Sequence, residues 1–239
     1  MKTRPGTAQT MDTSQTGEDR AVFLVERLEQ AGVPVARRNY VAGELVYASG
    51  DADGYLCFLL AGQVRVYKPY GASYGAHKEA TVALVDEDGV FGEPTLESGG
   101  GHRDCAETLT DCQVARVSKA SLAAHVSRDP ACALALMTAF CKWARQREQM
   151  VERLLSRNVR SRLASLLVAL ADRFGEEAQP GVVIGLRFTH QRLAEMVACT
   201  REAVSKEMAC LEREGHIETR NRERKIVLLD SAALHEMAG

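Results

Sequence analysis

The sequence predicts an α+β fold with three parts in order: an antiparallel β-roll, one long helix, and a winged helix-turn-helix. Three observations lead to this prediction. Short apolar segments punctuated by glycine fill residues 37–118, whereas residues 130–158 contain no glycine and no internal proline. Near the C-terminus, two short amphipathic segments are separated by only three residues, 198–200. These patterns are typical of strands, a long helix and a helix pair, respectively.

Composition limits the classes of protein to which the chain could belong. Its 239 residues are 46% apolar, enough for two modest domains or one large one with a real core. The net charge of −2 provides no general positive field, so any affinity for DNA must come from a local basic surface. No signal peptide and no apolar run long enough to span a membrane are seen, so we expect a cytoplasmic protein without membrane contact.

The seven cysteines show no CxxC pair and no paired Cys/His ligand spacing. An odd number of scattered cysteines fits a reducing cytoplasm better than a disulfide framework, and we interpret them as small buried hydrophobic residues. The proximity of His102 to Cys105 and Cys112 gives only weak support for a metal or redox role. No metal site is therefore predicted.

The N-terminal half is predicted to be a tail followed by a roll. Residues 1–18 are rich in Thr, Gln, Ser and Gly without periodicity, which indicates a disordered tail. Residues 19–129 are assigned to the β-roll domain, which begins with a short amphipathic helix within residues 19–32. Regularly spaced short strands without intervening helices are typical of an antiparallel barrel or roll. The clearest strands are residues 45–47, 56–60 and 64–67, with glycines at 43, 50, 54 and 62 between them.

Residues 130–158 are predicted to form one long helix that pairs with a second copy. Apolar residues at spacings of three and four form a seam like that of a coiled coil. The alternative is that this stripe packs against the roll of the same chain. Because the helix is long and the roll is small, we favour a homodimer. The residues assigned to its interface are Met137, Phe140, Ala144, Val151 and Leu154.

Residues 159–239 are predicted to be a winged helix-turn-helix that binds DNA. After a helix at 161–175, residues 175–181 resemble a linker and 182–188 a strand. Two short helices follow, at 190–197 and 201–211, and Thr200 is suited to cap the second. A helix-turn-helix places the N-terminal residues of its second helix in the major groove.

The exposed face of that second helix carries residues suited to reading bases. Arg201 could donate to guanine O6 and N7, and Glu202 could accept from cytosine N4. The alternative is a solvated first turn in which the helix dipole favours Glu202. Behind it, residues 217–229 are predicted to form a hairpin whose basic tip contacts phosphates, or else is a solvated turn. The predicted DNA-binding residues are Thr189, His190, Gln191, Thr200, Arg201, Glu202, Ser205, Lys206, Arg220 and Arg222.

Three stretches resemble the CRP/FNR family of bacterial transcription regulators, and the resemblance extends from about residue 20 to the end. They are GELVYASGDADGYLCFLLAGQVRVY at 43–67, FGE at 91–93 with Arg103 ten residues beyond Glu93, and TREAVSKEMACLEREGHI at 200–217. The resemblance implies a non-enzymatic homodimer that binds a near-palindromic site in double-stranded DNA. It also implies an activator that contacts RNA polymerase.

The resemblance further implies an effector pocket inside the roll. In cyclic-nucleotide-binding members a glutamate accepts from the ribose 2′-OH and an arginine pairs with the cyclic phosphate. Asp104 stands where a serine or threonine is usual, and a carboxylate there would repel a phosphate. The residues carried over to this pocket are Gly92, Glu93, Arg103, Asp104, Arg147 and Glu148.

Three interpretations of the pocket remain open. A cyclic nucleotide such as cyclic AMP binds through altered contacts, or a different anionic effector uses Arg103 together with Arg147. In the third interpretation the pocket is vestigial, Arg103 is bridged to Glu93 or Asp104, and the dimer needs no ligand.

The DNA-binding segment also departs from the family pattern at two positions. Lys206 replaces a second arginine, and lysine lacks the planar fork that discriminates bases. Ala198 stands where a glycine is common, and a left-handed alanine there costs about 1–2 kcal/mol.

Other functional classes have weaker support. A metal-dependent oxygenase would need a cluster of histidines with a carboxylate, but the roll segment offers only His77 and His102 without a ligand motif. The tail lacks the clustered cysteines of the family's iron–sulfur branch. A ligand-sensing subunit that acts on another protein remains the alternative to a DNA-binding regulator.

Overall fold

In the computed structural model, two antiparallel four-stranded sheets form the N-terminal roll. The structure describes residues 20–51, 54–70, 78–92, 101–155, 158–220 and 225–238. The predicted tail at 1–18 lies outside these ranges. The strands are β1 Val35–Tyr40, β2 Leu45–Tyr47, β3 Tyr55–Ala61, β4 Val64–Tyr70, β5 Lys78–Val85, β6 Val90–Gly92, β7 Cys105–Thr108 and β8 Cys112–Ser118. Their orders in the two sheets are β1-β8-β3-β6 and β2-β7-β4-β5.

Strand β3 is buried on both faces, and its side chains divide the core into two layers. Cys57 and Leu59 point between the two sheets. Leu56 and Phe58 point the other way, into a cluster formed with the N-terminal and central helices. Alternate residues of a strand face opposite sides, which explains why nearly the whole segment is apolar.

Three helices cover the outer layer of that core: α1 Arg20–Gln30, α2 Lys119–Val126 and α3 Pro130–Leu155. Helix α3 buries Cys132, Leu136 and Ala139 against the roll. It ends before the predicted boundary at 158, because Asn158 caps the next helix by accepting from the Arg160 amide. Although α3 has 26 residues, none of the described helices has the length and apolar character needed to cross a bilayer.

The C-terminal part packs helices against a small antiparallel sheet. Its elements are α4 Val159–Phe174, β9 Gly175–Ala178, β10 Gly181–Ile184, α5 His190–Met196, α6 Arg201–Arg213, β11 Ile217–Arg220, β12 Lys225–Leu228 and α7 Ser231–Ala238. The strand order in the sheet is β11-β12-β10-β9.

The sequence predictions for this part differ from the structure at three places. Residues 175–181 were predicted to be a linker, but they include strand β9, which pairs with β10. The strand was missed because its residues are all exposed and show no apolar alternation. The predicted strand 182–188 ends at Ile184, and helix α7 was not predicted.

Candidate DNA-binding surface and effector pocket

The helix-turn-helix consists of α5 and α6, and a threonine caps each helix. The Thr189 hydroxyl accepts from the Arg192 amide at 3.1 Å, and the Thr200 hydroxyl accepts from the Ala203 amide at 3.2 Å. These bonds satisfy backbone donors that would otherwise lack partners. In the turn between them, Ala198 has a φ of 48°. The left-handed alanine considered from the sequence is therefore present.

The outer face of α6 presents charged side chains to solvent. Val204, Met208 and Leu211 are buried in the domain core, so the opposite face must point outward. Arg201, Glu202 and Lys206 are exposed. Within the described ranges none of these three makes a hydrogen bond or ion pair with another side chain, and all three are therefore available to a ligand such as DNA.

Ser205 stands on the same helix but is already engaged. Its hydroxyl lies 2.8 Å from Nδ1 of His190, the first residue of α5. This bond joins the two helices of the motif. Both residues were predicted from the sequence as separate DNA contacts. The bond between them was not predicted, because the two residues are fifteen positions apart in the chain.

The remaining predicted DNA contacts lie around this face. Thr189 and Gln191 are exposed at the start of α5, where Gln191 also donates to Glu195 at 3.0 Å. In the hairpin of β11 and β12, Arg220 pairs with Glu218 at 3.4 Å. Arg222 and the rest of the hairpin tip lie outside the described residues, so their contact with phosphate stays a prediction.

The pocket of the roll is organised around Asp104, which is buried. Its carboxylate accepts from the Tyr47 hydroxyl at 3.1 Å and from Nη2 of Arg147 on α3 at 2.6 Å. The Arg147 guanidinium also lies over the Trp143 ring, 3.7 Å from its centre. The Asp104 carboxylate was expected to repel a phosphate. In the structure it forms an internal ion pair with Arg147 that joins the roll to α3.

Tyr47 is held in place by a stack of rings. Its ring lies 3.8 Å from that of His102 and 6.1 Å from that of Phe91. Burial, followed by the neighbouring charge of Asp104, raises the pKa of Tyr47 well above its usual value. The phenol is therefore a neutral donor to Asp104 at physiological pH.

The other predicted pocket residues are Gly92, Glu93, Arg103 and Glu148. Gly92 ends β6 with a φ of 105°, and a Cβ there would lie 2.9 Å from the Tyr55 carbonyl oxygen, so only glycine fits. Glu93 lies outside the described residues. Arg103 is exposed and makes no ion pair within the described ranges, so the proposed bridge between Arg103 and Asp104 is not observed. Glu148 is exposed on α3.

The stripe predicted along α3 divides between two faces. Phe140 is half-buried against the roll core, and Arg147 faces Asp104. The side chain of Leu154 lies outside the description. A different set of positions, spaced by three and four, is exposed on the opposite face and includes three of the predicted interface residues. This face consists of Leu134, Met137, Cys141, Ala144, Glu148 and Val151.

Charged residues also join the roll to the helix-turn-helix, which the sequence did not predict. Arg65 on β4 is completely buried. Its Nε donates to the Thr81 hydroxyl at 2.8 Å and its Nη1 to Glu79 at 2.8 Å. Its Nη2 donates to Glu195 on α5 at 2.9 Å, across the boundary between the two parts of the chain.

A second arginine crosses the same boundary in the opposite direction. Arg192 on α5 donates to both oxygens of Glu107 on β7, at 2.6 and 2.9 Å. Burial by itself would lower the pKa of Arg192, but the hydrogen bonds and charge of Glu107 raise it above its ordinary value. Glu107 also lies 3.6 Å from Arg65. We refer to Arg65, Glu79, Glu107, Arg192 and Glu195 as the interdomain arginine cluster.

His125, Asp129 and Cys132 bring possible metal ligands within 4.8 Å of one another. The Asp129 carboxylate is already engaged, because Arg27 donates to it at 2.9 Å and the amides of Ala131 and Cys132 also donate to it. The hydrogen bond from Arg27 lowers the pKa of Asp129 below its usual range. This arrangement is best interpreted as a helix cap with its counterion.

Comparison with known proteins agrees with this geometry. The family model of the Crp-like helix-turn-helix domain matches residues 161–237, and that of the cyclic nucleotide-binding domain matches residues 37–129. The chain is 29% identical over 211 residues to the global nitrogen regulator of Synechocystis sp., covering 87% of this chain and 91% of that protein. It is 30% identical over 205 residues to the transcriptional regulator LdrP of Thermus thermophilus, covering 84% of this chain and 96% of that protein.

A solved structure shares the architecture as well. The crystal structure of a CRP-family transcriptional regulator from Thermus thermophilus matches with a TM-score of 0.73 at 28% identity, covering 84% of this chain and 96% of that one. With the roll, the long helix and the capped helix-turn-helix all in place, this chain belongs to the CRP/FNR family of DNA-binding transcription regulators, which are not enzymes.

Proposed function

We propose that the chain acts as a homodimeric, sequence-specific transcriptional activator that binds a near-palindromic DNA site in the cytoplasm. The observation that carries this proposal is the set of exposed side chains Arg201, Glu202 and Lys206 on α6, which have no side-chain partner within the part of the chain that the structure describes. Unpaired charges at the start of a recognition helix match the donor and acceptor pattern of base edges in the major groove.

Dimer formation is supported by the outer face of α3. The side chains of Met137 and Val151 are 62% and 57% exposed although both are large and apolar. Their spacing of fourteen residues equals two heptads, the repeat that keeps an apolar stripe facing a partner helix. A second copy of α3 would cover these side chains. Two DNA-binding parts would then stand on one symmetric dimer, and the activator role would follow from contact with RNA polymerase.

Substitution of Arg201 tests base reading. Arg201→Ala should weaken binding to the selected site by about 1–3 kcal/mol and relax the preference at one base pair. Site selection followed by titration of single-base variants measures both effects. Arg213, exposed at the opposite end of α6, provides the matched control, and Arg213→Ala should leave the preference unchanged. Equal losses on specific and random DNA in Arg201→Ala would contradict base reading.

For the pocket, the Asp104–Arg147 pair favours an effector-independent regulator. The buried carboxylate supplies internally a negative charge that a bound phosphate would otherwise bring to this position, and it holds α3 against the roll. The alternative, a cyclic nucleotide or another anionic effector, is favoured by exposed Arg103. Titration of the protein with cyclic AMP, followed by heat of binding and by DNA affinity, separates the two. Binding at micromolar nucleotide together with raised DNA affinity would contradict the effector-independent proposal.

A further inference from the structure

The interdomain arginine cluster joins the roll to α5, the first helix of the helix-turn-helix. Its position suggests that the cluster influences DNA recognition. We propose that Arg65, Glu107, Arg192 and Glu195 are positioning residues: they fix the angle of the helix-turn-helix on the roll and thereby set the half-site spacing that the dimer accepts. This inference rests on the proposed function as a dimeric DNA-binding protein.

The burial of Arg65 indicates that the cluster is a specific contact. A guanidinium without access to water is tolerated only when its donors and its charge are satisfied by partners in good geometry. The three nitrogens of Arg65 point to three different residues, Thr81, Glu79 and Glu195. The ring of Tyr67, 4.4 Å from the guanidinium carbon, covers its face. Glu195 must therefore occupy one direction relative to β4.

The two crossing ion pairs restrain rotation as well as distance. Arg65 reaches from the roll to Glu195, and Arg192 reaches from α5 back to Glu107. Glu195 and Arg192 are three residues apart on α5, so they lie on the same face of that helix. A single ion pair would allow α5 to pivot, whereas two pairs on neighbouring turns hold it at a fixed orientation.

A separate contact supports the same orientation from α4. Arg173 donates to the carbonyl oxygen of Leu84 at 2.8 Å and pairs with Asp86 at 2.9 Å, both in the roll. Leu84 itself packs in the core of the C-terminal part. Among the described residues, the cluster on α5 and the contact of α4 therefore both join the roll to the C-terminal part.

The orientation of α5 is passed directly to the recognition helix. The turn between α5 and α6 has only a few residues, and the bond between His190 and Ser205 joins the two helices. In a dimer held by α3, the recognition helix of each copy is connected to α3 by two routes. One runs through α4, which packs on both α3 and α6, and the other runs through α5, the cluster and the roll. Since half-site spacing mirrors the separation of the two recognition helices, we infer that the stiffness of the second route contributes to how strictly the spacing is read.

The test compares spacing preference with sequence preference. Purified full-length protein is titrated with duplexes that carry the selected half-sites separated by the optimal spacer or by one base pair more or fewer. The variants are Glu107→Gln, which lies in the roll, away from α6, and Arg192→Gln, which removes the same ion pair from the other side. Arg37→Gln is the matched control, because Arg37 pairs with Glu29 at the surface of the N-terminal part, away from the boundary with the helix-turn-helix.

In the wild type we expect clear preference for one spacer, and in both cluster variants a preference about tenfold weaker, a typical size for coupling between sites. Preference for the bases of each half-site should be unchanged, and the double variant should lose no more than either single variant, because both remove the same ion pair. Spacer preference is measured as the ratio of the affinities for two spacers. A direct contact of Arg192 with phosphate would change both affinities equally and so would not alter this ratio. A merely structural role would lower affinity for every spacer alike.

Unchanged spacer preference in folded Glu107→Gln and Arg192→Gln would overturn the inference. If one variant does not fold, as judged by circular dichroism, the other decides, and Glu195→Gln provides a third, nearly isosteric change. Failure of the wild-type protein to bind any selected DNA would instead overturn the proposed function, so the two failures are distinguishable.

Discussion

Replacement of Arg65 by methionine should destabilise the protein more than any surface substitution. Methionine keeps much of the volume of the arginine stem but removes the charge and all three bonds to Thr81, Glu79 and Glu195. Loss of one partner of a buried ion pair costs about 3–5 kcal/mol, mostly because the other charge is left without compensation.

Because the partner carboxylates of Arg65 are partly exposed, we expect the loss of stability to lie at the lower end of that range. The side chains of Glu79 and Glu195 are 31% and 15% exposed, so water can partly replace the arginine at each carboxylate. Glu107 keeps its two bonds from Arg192. We therefore expect Arg65→Met to lower the free energy of unfolding by about 3 kcal/mol.

Urea denaturation at neutral pH measures this change, with one protein concentration used for all variants because dimers are stabilised by mass action. The control is Arg37→Met, since Arg37 pairs with Glu29 on the surface and both side chains are well exposed. Such pairs contribute about 0–1 kcal/mol. A loss in Arg65→Met no larger than that in Arg37→Met would refute the reasoning, because it would mean that the guanidinium is not a buried, compensated charge.

Three further predictions concern single residues. Because its hydroxyl is engaged by His190, Ser205→Ala should weaken binding to all DNA sites alike, by about 1 kcal/mol; a changed base preference in site selection would show instead that Ser205 reads a base. Ala198→Gly should relieve about 1–2 kcal/mol of left-handed strain against about 0.4–1 kcal/mol of added unfolded-state entropy. A net gain in the free energy of unfolding of between about 0 and about 1.6 kcal/mol is expected in urea denaturation, and a clear loss would refute it. The hydrogen bond from Arg27 lowers the pKa of Asp129, so the contribution of Asp129 to stability is fully present above about pH 4 and is lost as the pH falls. Asp129→Asn should therefore make the free energy of unfolding depend less on pH in the acid range. An unchanged slope would contradict this.

Local signals account for how well the helix-turn-helix was predicted. The cap at Thr200, the apolar spacing of Val204 and Met208, and the unusual alanine at 198 are all properties of a short segment. Hydrogen bonds within a helix and its cap connect near neighbours, so the residues that decide the structure are visible together in the sequence. The glycine-punctuated strands of the roll were predicted for the same reason.

Contacts between distant segments could not be predicted in this way. Arg65 lies between Val64 and Val66, a pattern that predicts an outward-facing charge on a strand. The side chain does point out of the roll, but α5 covers that face, and its partner Glu195 is 130 residues away. Strand β9 escaped prediction because its partners are backbone groups of β10 and its side chains are all exposed.

Strand β7 explains why the pocket and the DNA-binding part should be considered together. Asp104, immediately before β7, binds Arg147 of α3, and Glu107, three residues later, binds Arg192 of α5. The two carboxylates have partners on different helices, so one points toward the pocket and the other toward the helix-turn-helix. A shift of this short strand would therefore change both ion pairs at once. The helix proposed to form the dimer and the helix that positions the recognition helix are thus both anchored to one short segment of the roll, residues 104–107.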